Sequence, residues 1–268
     1  MRKLMTMCVA VVLVCAAGAF ALPVSVLNMH FDNDTAAGEN YTAGGLVKDW
    51  SGNGNDGHLS DPPGVPQWFT PGVVGGAFNF TGNGTDIGQS ILVHHNALLN
   101  PGPGDFALVM WVLTRANIDG DILRKGSQGN SSTWYKLEHS PIASNNKLSL
   151  NFNTDGTDAT VNSTQAYNDN QWHFVVAQRR GSVAELWIDG VLDGTAAISG
   201  GIANTGNLAI GSKDTQNDDF FNGGLDEIQI FAGALSQAEI QQLYAIPEPA
   251  TLSLLGLGAV GLLRRLRR

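Results

Sequence analysis

"NDNQWHFVVAQRRGSVAELWIDGVLDG", residues 168–194, is the stretch on which the fold turns. In its first half Trp172, Phe174 and Val176 fall on one side of an extended chain, and His173, Val175 and Ala177 on the other. Its second half, "AELWIDGVLDG" (184–194), reads as a hairpin. Asp189-Gly190 supplies the two turn residues, because both tolerate the positive φ of a type I′ turn.

Working outward, the same pattern recurs. "KLSLNF" (147–152) alternates Leu148, Leu150 and Phe152. "DFALVMWVLT" (105–114) is a more continuous apolar run, as a central sandwich strand should be. "VSVLNMHF" (24–31) opens with Val24 and Val26 in phase and Leu27 out of phase. "NLAIGS" (207–212) and "LDEIQIFAGAL" (225–235) supply late strands. Glycine is 33 of 268 residues and charged residues only 15%, which suits many short strands joined by tight turns. No fixed-period repeat is present, so a solenoid or propeller is not expected. One helix is expected in "LSQAEIQQLYA" (235–245): Ser236 and Glu239 form a capping box, and Ile240, Leu243 and Tyr244 share a face. The expected class is all-β, a two-sheet antiparallel jelly-roll sandwich with a short C-terminal helix and a hydrophobic tail helix.

Both ends carry address signals. Residues 1–21 have Arg2 and Lys3, an apolar run, then Ala19-Phe20-Ala21, the order of a cleaved secretory signal peptide. Cys8 and Cys15 both lie in that segment, so a mature chain has no thiol for catalysis, disulfides or zinc. At the other end, residues 250–263 are uncharged, Pro247 and Pro249 precede them, and Arg264, Arg265, Arg267 and Arg268 close the chain. As a helix that run measures about 21 Å against a hydrocarbon core of about 30 Å, a marginal span that arginines could extend. Between the ends, residues 22–246 carry 9 basic and 23 acidic side chains, a net charge near −14. That balance repels nucleic acid and suits neutral or cationic partners and hard cations.

The last 23 residues, with Pro247-Glu248-Pro249, the small apolar segment and the basic cluster, resemble a PEP-CTERM sorting signal. The resemblance implies a Gram-negative, exopolysaccharide-making host and an exosortase-type membrane enzyme that removes the tail. The chain would be exported, held transiently at the inner membrane, then left at the cell surface or outside. The middle resembles a LamG-like, concanavalin-type jelly roll from about residue 25 to 244. The resemblance is carried by "HFDND" (30–34), "KDWSGNGNDGHL" (48–59), "GVVGGAFNFTGNG" (72–84), the opening stretch, and "FFNGGLDEIQIFAGALSQAEIQQLY" (220–244). The division expected is a signal peptide at 1–21, the jelly roll at 22–245 and the sorting segment at 246–268.

The family binds carbohydrates or proteins, and some related jelly rolls are glycoside hydrolases. Retaining glycosidases need two carboxylates about 5 Å apart. Glu138 stands alone, Glu185 has only Asp189 in a turn as a same-face neighbour, Asp226-Glu227 point opposite ways, and Asp119 and Asp121 fall in loop-like sequence. The expectation is therefore a non-enzymatic module that binds an extracellular polysaccharide or a surface protein. A glycoside hydrolase or lyase, or a structural matrix protein, is the alternative. Trp68, Trp134 and Tyr135, in loop-rich sequence, are the candidates for stacking on sugar. "SGNGNDG" (51–57) offers oxygens for Ca2+, or for an Asx-turn cluster without metal. By resemblance a structural Ca2+ would use Asp32 and Asp226, with Asp49 and Asn53 as weaker candidates.

Overall fold

The computed structural model describes residues 21–61, 64–84, 88–115, 117–126, 133–140, 145–213 and 219–245; all of the expected signal peptide but Ala21, and the sorting segment at 246–268 with its expected tail helix, lie outside them. Sixteen strands occur among the described residues: β1 Val24–Met29, β2 Leu46–Val47, β3 Gly57–Leu59, β4 Gln67–Phe69, β5 Ala77–Gly84, β6 Ile91–Val93, β7 Phe106–Thr114, β8 Gly120–Lys125, β9 Trp134–Ser140, β10 Lys147–Asn153, β11 Ala159–Asn162, β12 Trp172–Arg180, β13 Val183–Ile188, β14 Val191–Ala197, β15 Leu208–Ile210 and β16 Phe220–Ala232. Helix α1, Gln237–Tyr244, follows.

They form an antiparallel sandwich. The first sheet runs β14-β13-β12-β7-β16; β1 and β5 share the far side of β16, and β4 lies beyond β5 as an edge. The second runs β11-β10-β9-β8-β15-β6-β3-β2. One parallel bridge, Phe220 to Asp121, ties the two sheets at a corner. Between them lies the main core. Leu108, Met110 and Val112 of β7 and Val175 and Ala177 of β12 meet Leu137, Leu148, Leu150 and Phe152 of the second sheet. Phe106 crosses the gap, its ring 5.1 Å from that of Tyr135 and 5.5 Å from that of Phe152.

The decisive stretch folds as its pattern requires. Phe174 and Val176 face a second cluster under α1, while Val175 and Ala177 face the main core. Asp189 and Gly190 both have positive φ, 51° and 77°, and Ile188 pairs with Val191 across the turn. The phase break in β1 is a register shift between Ser25 and Leu27, where one extra residue is absorbed. Helix α1 starts with the expected box: Ser236 Oγ accepts from the Glu239 amide at 3.3 Å, and the Ser236 amide donates to Glu239 Oε2 at 2.6 Å. It buries Ile240 and Leu243 on the outer face of the first sheet, against Ala107, Val109 and Trp187.

Candidate functional site

The sugar-stacking candidates go to three different environments. Tyr135 alternates with Trp134 along β9 and therefore faces inward. It is wholly buried, and its hydroxyl donates to the Leu99 carbonyl at 3.1 Å. This corrects the expectation that it meets a ligand: a residue that reads as loop is a strand residue whose ring fills the core.

Trp134 faces outward on the second sheet and is half-buried. The Arg124 guanidinium lies 5.0 Å from its ring centre and Lys136 Nζ 5.9 Å away. Those cations belong to an ion cluster. Arg124 Nη1 is 3.0 Å from Asp121 Oδ2, Lys136 Nζ is 3.2 Å from Asp121 Oδ1, and Lys136 also pairs with Glu138. Asn151 adds a hydrogen bond of 2.8 Å to Glu138. Asp121 and Glu138 are direct cross-strand partners. By spacing alone Asp121 falls in loop-like sequence and Glu138 stands by itself; strand pairing sets the two carboxylates side by side. The Asp121 side chain is 1% exposed, however, and both its oxygens face cations. Burial pushes its carboxyl up, and Lys136 and Arg124 pull against that.

Trp68 sits on edge strand β4, where the sandwich opens. Its Nε1 donates to the Phe31 carbonyl at 2.7 Å, which fixes the indole. Tyr41 stands beside it at 6.2 Å and packs on Phe78 at 4.8 Å. Burial pushes the Tyr41 phenol up, so it remains a neutral hydroxyl, accepting from the Asn33 amide at 3.2 Å. Together they line a rim groove of about 570 Å3, whose other walls include Asn33, Asn40, Thr42 and Gln67. Two aromatic rings beside amides and hydroxyls make a surface suited to an uncharged polyol. Tyr41 was not singled out in the sequence, because one tyrosine in a Gly/Asn-rich stretch carries no pattern.

The metal candidates split into two places. Asp49 is committed to its own loop: Oδ1 accepts from the Asn28 and Ser51 amides, at 3.0 and 2.9 Å, and Oδ2 from Ser51 Oγ and the Asn55 amide, at 2.8 and 2.9 Å. Asn53 turns its amide nitrogen, not its oxygen, to the Ser25 carbonyl and Ser51 Oγ, both at 2.9 Å. This half is an Asx-type cluster. Asp32 and Asp226 instead hold the loop that joins β4 to β5. Asp226 Oδ2 accepts from the Val73 and Val74 amides at 2.8 and 3.0 Å, and Asp32 Oδ1 from the Gly76 amide at 3.2 Å. Gly75, with φ of 61°, passes so close that a Cβ would lie 1.8 Å from Asp32 Oδ1. Asp226 is wholly buried, and burial pushes its carboxyl up to about 8. Asp49 and Asn53 do not converge with Asp32 and Asp226, and among the described residues no three His, Cys, Asp or Glu side chains are placed to hold one metal ion.

Residues 83–241 match the family described as the concanavalin A-like lectin/glucanases superfamily, and residues 245–268 match the PEP-CTERM protein-sorting motif. A curated relative, adhesion G-protein coupled receptor V1 of Danio rerio, is 23% identical over 159 residues, which are 55% of this chain and 2% of that protein. Among solved structures, the binding domain of Paraclostridial Mosquitocidal Protein 1 superposes with a TM-score of 0.60 at 18% identity, covering 82% of this chain and 51% of that one. The binding domain of botulinum neurotoxin DC, in complex with SialylT, gives 0.60, 18%, 82% and 51%. Domain 4 of AbnA, a GH43 extracellular arabinanase from Geobacillus stearothermophilus, in complex with arabinotriose, gives 0.59 at 16% identity, covering 83% of this chain and 98% of that one. At these identities the likeness is one of fold. Among the described residues no helix is long and apolar enough to cross a membrane.

Proposed function

The chain belongs to the concanavalin A-like lectin/glucanases superfamily, and from that premise we propose that it is an exported, non-enzymatic module that binds extracellular polysaccharide in the rim groove of Tyr41 and Trp68. The observation that carries the reading is that groove: two fixed aromatic rings with several hydroxyls and amides at the open edge of a rigid sandwich. The structural neighbours named above support it, being binding domains of toxins and a domain in complex with arabinotriose. The tail motif accounts for delivery: an exosortase-type enzyme removes residues 246–268 after transient anchoring at the inner membrane, leaving the sandwich outside the cell. The non-enzymatic part rests on the carboxylate couple, whose buried member is neutralised by Arg124 and Lys136. A surface-protein partner is the alternative use of the same rim.

Retention of the purified chain on insoluble polysaccharides tests this. Trp68→Ala should weaken retention by tenfold or more, about 1.4 kcal/mol, while Trp68→Phe keeps a ring and much of the binding. Equal retention by wild type and Trp68→Ala would remove the groove from the account.

One cation belongs to the same proposal. Asp32 and Asp226 are retained as side-chain ligands for Ca2+, with loop carbonyls and water completing the six to eight oxygens it takes. Burial raises the Asp226 carboxyl to about 8, so Ca2+ would have to displace its proton to bind there, and binding should strengthen as pH rises. Bound there, Ca2+ would supply charge compensation and stiffen the 70–76 loop next to β4. Calcium should raise the melting temperature of the wild type and not of Asp226→Asn. An unchanged melt in saturating calcium would strike the ion from the proposal.

A further inference from the structure

Across β4 from the aromatic groove lies a second one, of about 470 Å3, on the outer face of the first sheet. Alternation sets its floor. Phe78 and Phe80 turn into the core, so Asn79 and Thr81 turn out. Register then places Gln67 opposite Asn79 and Asn222 opposite Thr81. Phe69 adds an apolar surface, and Arg115, one residue beyond β7, closes one side.

Arg115 is held without being neutralised. Its Nε donates to Asn170 Oδ1 at 3.1 Å, and its Nη1 donates to Asn79 Oδ1. Both acceptors are neutral amides, and among the described residues no carboxylate pairs with it. Lys48, Arg124, Lys136 and Arg180 each lie against an acid, whereas Arg179, like Arg115, donates to neutral oxygens, the carbonyls of Gly181 and Gly200, but lies outside this groove of amides. Among the described residues the groove lining holds one cation and no acid, on a chain whose residues 22–246 carry 23 acids and 9 bases. Partial burial without a counter-charge also lowers the proton affinity of the guanidinium, a sign that an anion would be welcome there.

We propose that this groove reads the carboxylate of an acidic polysaccharide, a uronate, with Arg115 as the charge-reading residue and the amides of Gln67, Asn79 and Asn222 meeting neighbouring hydroxyls. A guanidinium matches a carboxylate in two parallel hydrogen bonds, and its two asparagine acceptors pre-set its plane. The inference rests on the carbohydrate reading above. Gln67 lines both grooves, so one glycan crossing β4 touches aromatic rings on one side and the cation on the other. The net charge near −14 repels a polyanion at long range. Selectivity is therefore read from matched glycans, not from salt dependence.

The test is calorimetric titration of the full chain with oligogalacturonate and with its fully methyl-esterified form, which keeps the sugar and removes the charge. The acid should bind about tenfold tighter than the ester, as one charge-assisted pair allows. Arg115→Gln should bring that ratio to about one, and Arg115→Lys, which keeps charge without the fork, should give an intermediate ratio. Equal affinity of the wild type for both forms, or a ratio untouched by Arg115→Gln, overturns the inference while the bound ester leaves the carbohydrate reading standing. Failure of both forms and of every neutral glycan overturns the two together.

Discussion

His173 stands between two carboxylates, with Nδ1 2.8 Å from Asp189 Oδ2 and Nε2 3.3 Å from Asp169 Oδ2. The hydrogen bond to Asp189 is the main reason its pKa is raised, against an opposing burial effect; the Tyr167 ring meets it edge-on at 4.7 Å. A histidine raised in the folded state stabilises fully below its unfolded value of about 6.5, and that contribution fades as pH climbs through the folded value. The stability of wild type over His173→Gln should therefore grow between about pH 8 and about pH 6. A difference flat across that range would show that the clasp carries no charge. Asp121 makes a sharper case. Removing it in Asp121→Ala leaves Arg124, whose side chain is 0% exposed, as a buried unpaired charge, at a cost of about 3–5 kcal/mol in urea unfolding. Glu138→Ala, at the more exposed end, should cost well under half of that. A loss of less than about 1 kcal/mol for Asp121→Ala would mean its pair is solvated, and would reopen a catalytic role. At this scale the sequence was a partial guide. Trp68 and Trp134 were legible as surface aromatics, whereas Tyr135 was not legible as core, because inward and outward differ by a single place in register.

Among the elements, α1 was the easiest to read, since a capping box and a 3.6-residue stripe are both local. Ser236→Ala should cost about 1 kcal/mol and lower the melting temperature without altering the sandwich. No shift in the melt would mean that packing of Ile240 and Leu243 alone holds the helix. The hairpin at Asp189-Gly190 was equally plain, since positive φ is a chemical demand on two adjacent residues. Strand β8 was hidden. Gly120 and Asp121 begin it, and its polar Asp121, Arg124 and Lys125 are all buried, so no alternation of apolar and polar residues marks it. Its pairing with β9 brings Asp121 opposite Glu138 across seventeen positions of chain, a register set by strand pairing that neither segment encodes alone.

For the whole molecule, the sandwich and the sorting tail were legible because each rests on several short motifs in order. The grooves were not, since each gathers residues from separate strands around β4, and only Trp68 announced itself. Arg115 looks ordinary in sequence and becomes distinct once its two acceptors prove to be asparagine amides. Placing both grooves at the edge strand leaves the two sheets free to act as a rigid support, with α1 covering the β7, β12 and β13 part of the outer face of the first. On this reading the molecule binds glycans without cleaving them. The most direct measurement is incubation of the purified chain with a polysaccharide panel, scoring both bound protein and polymer length. Saturable binding to at least one glycan with its length unchanged is expected. Shortening of the polymer, or no binding to any glycan, would contradict it.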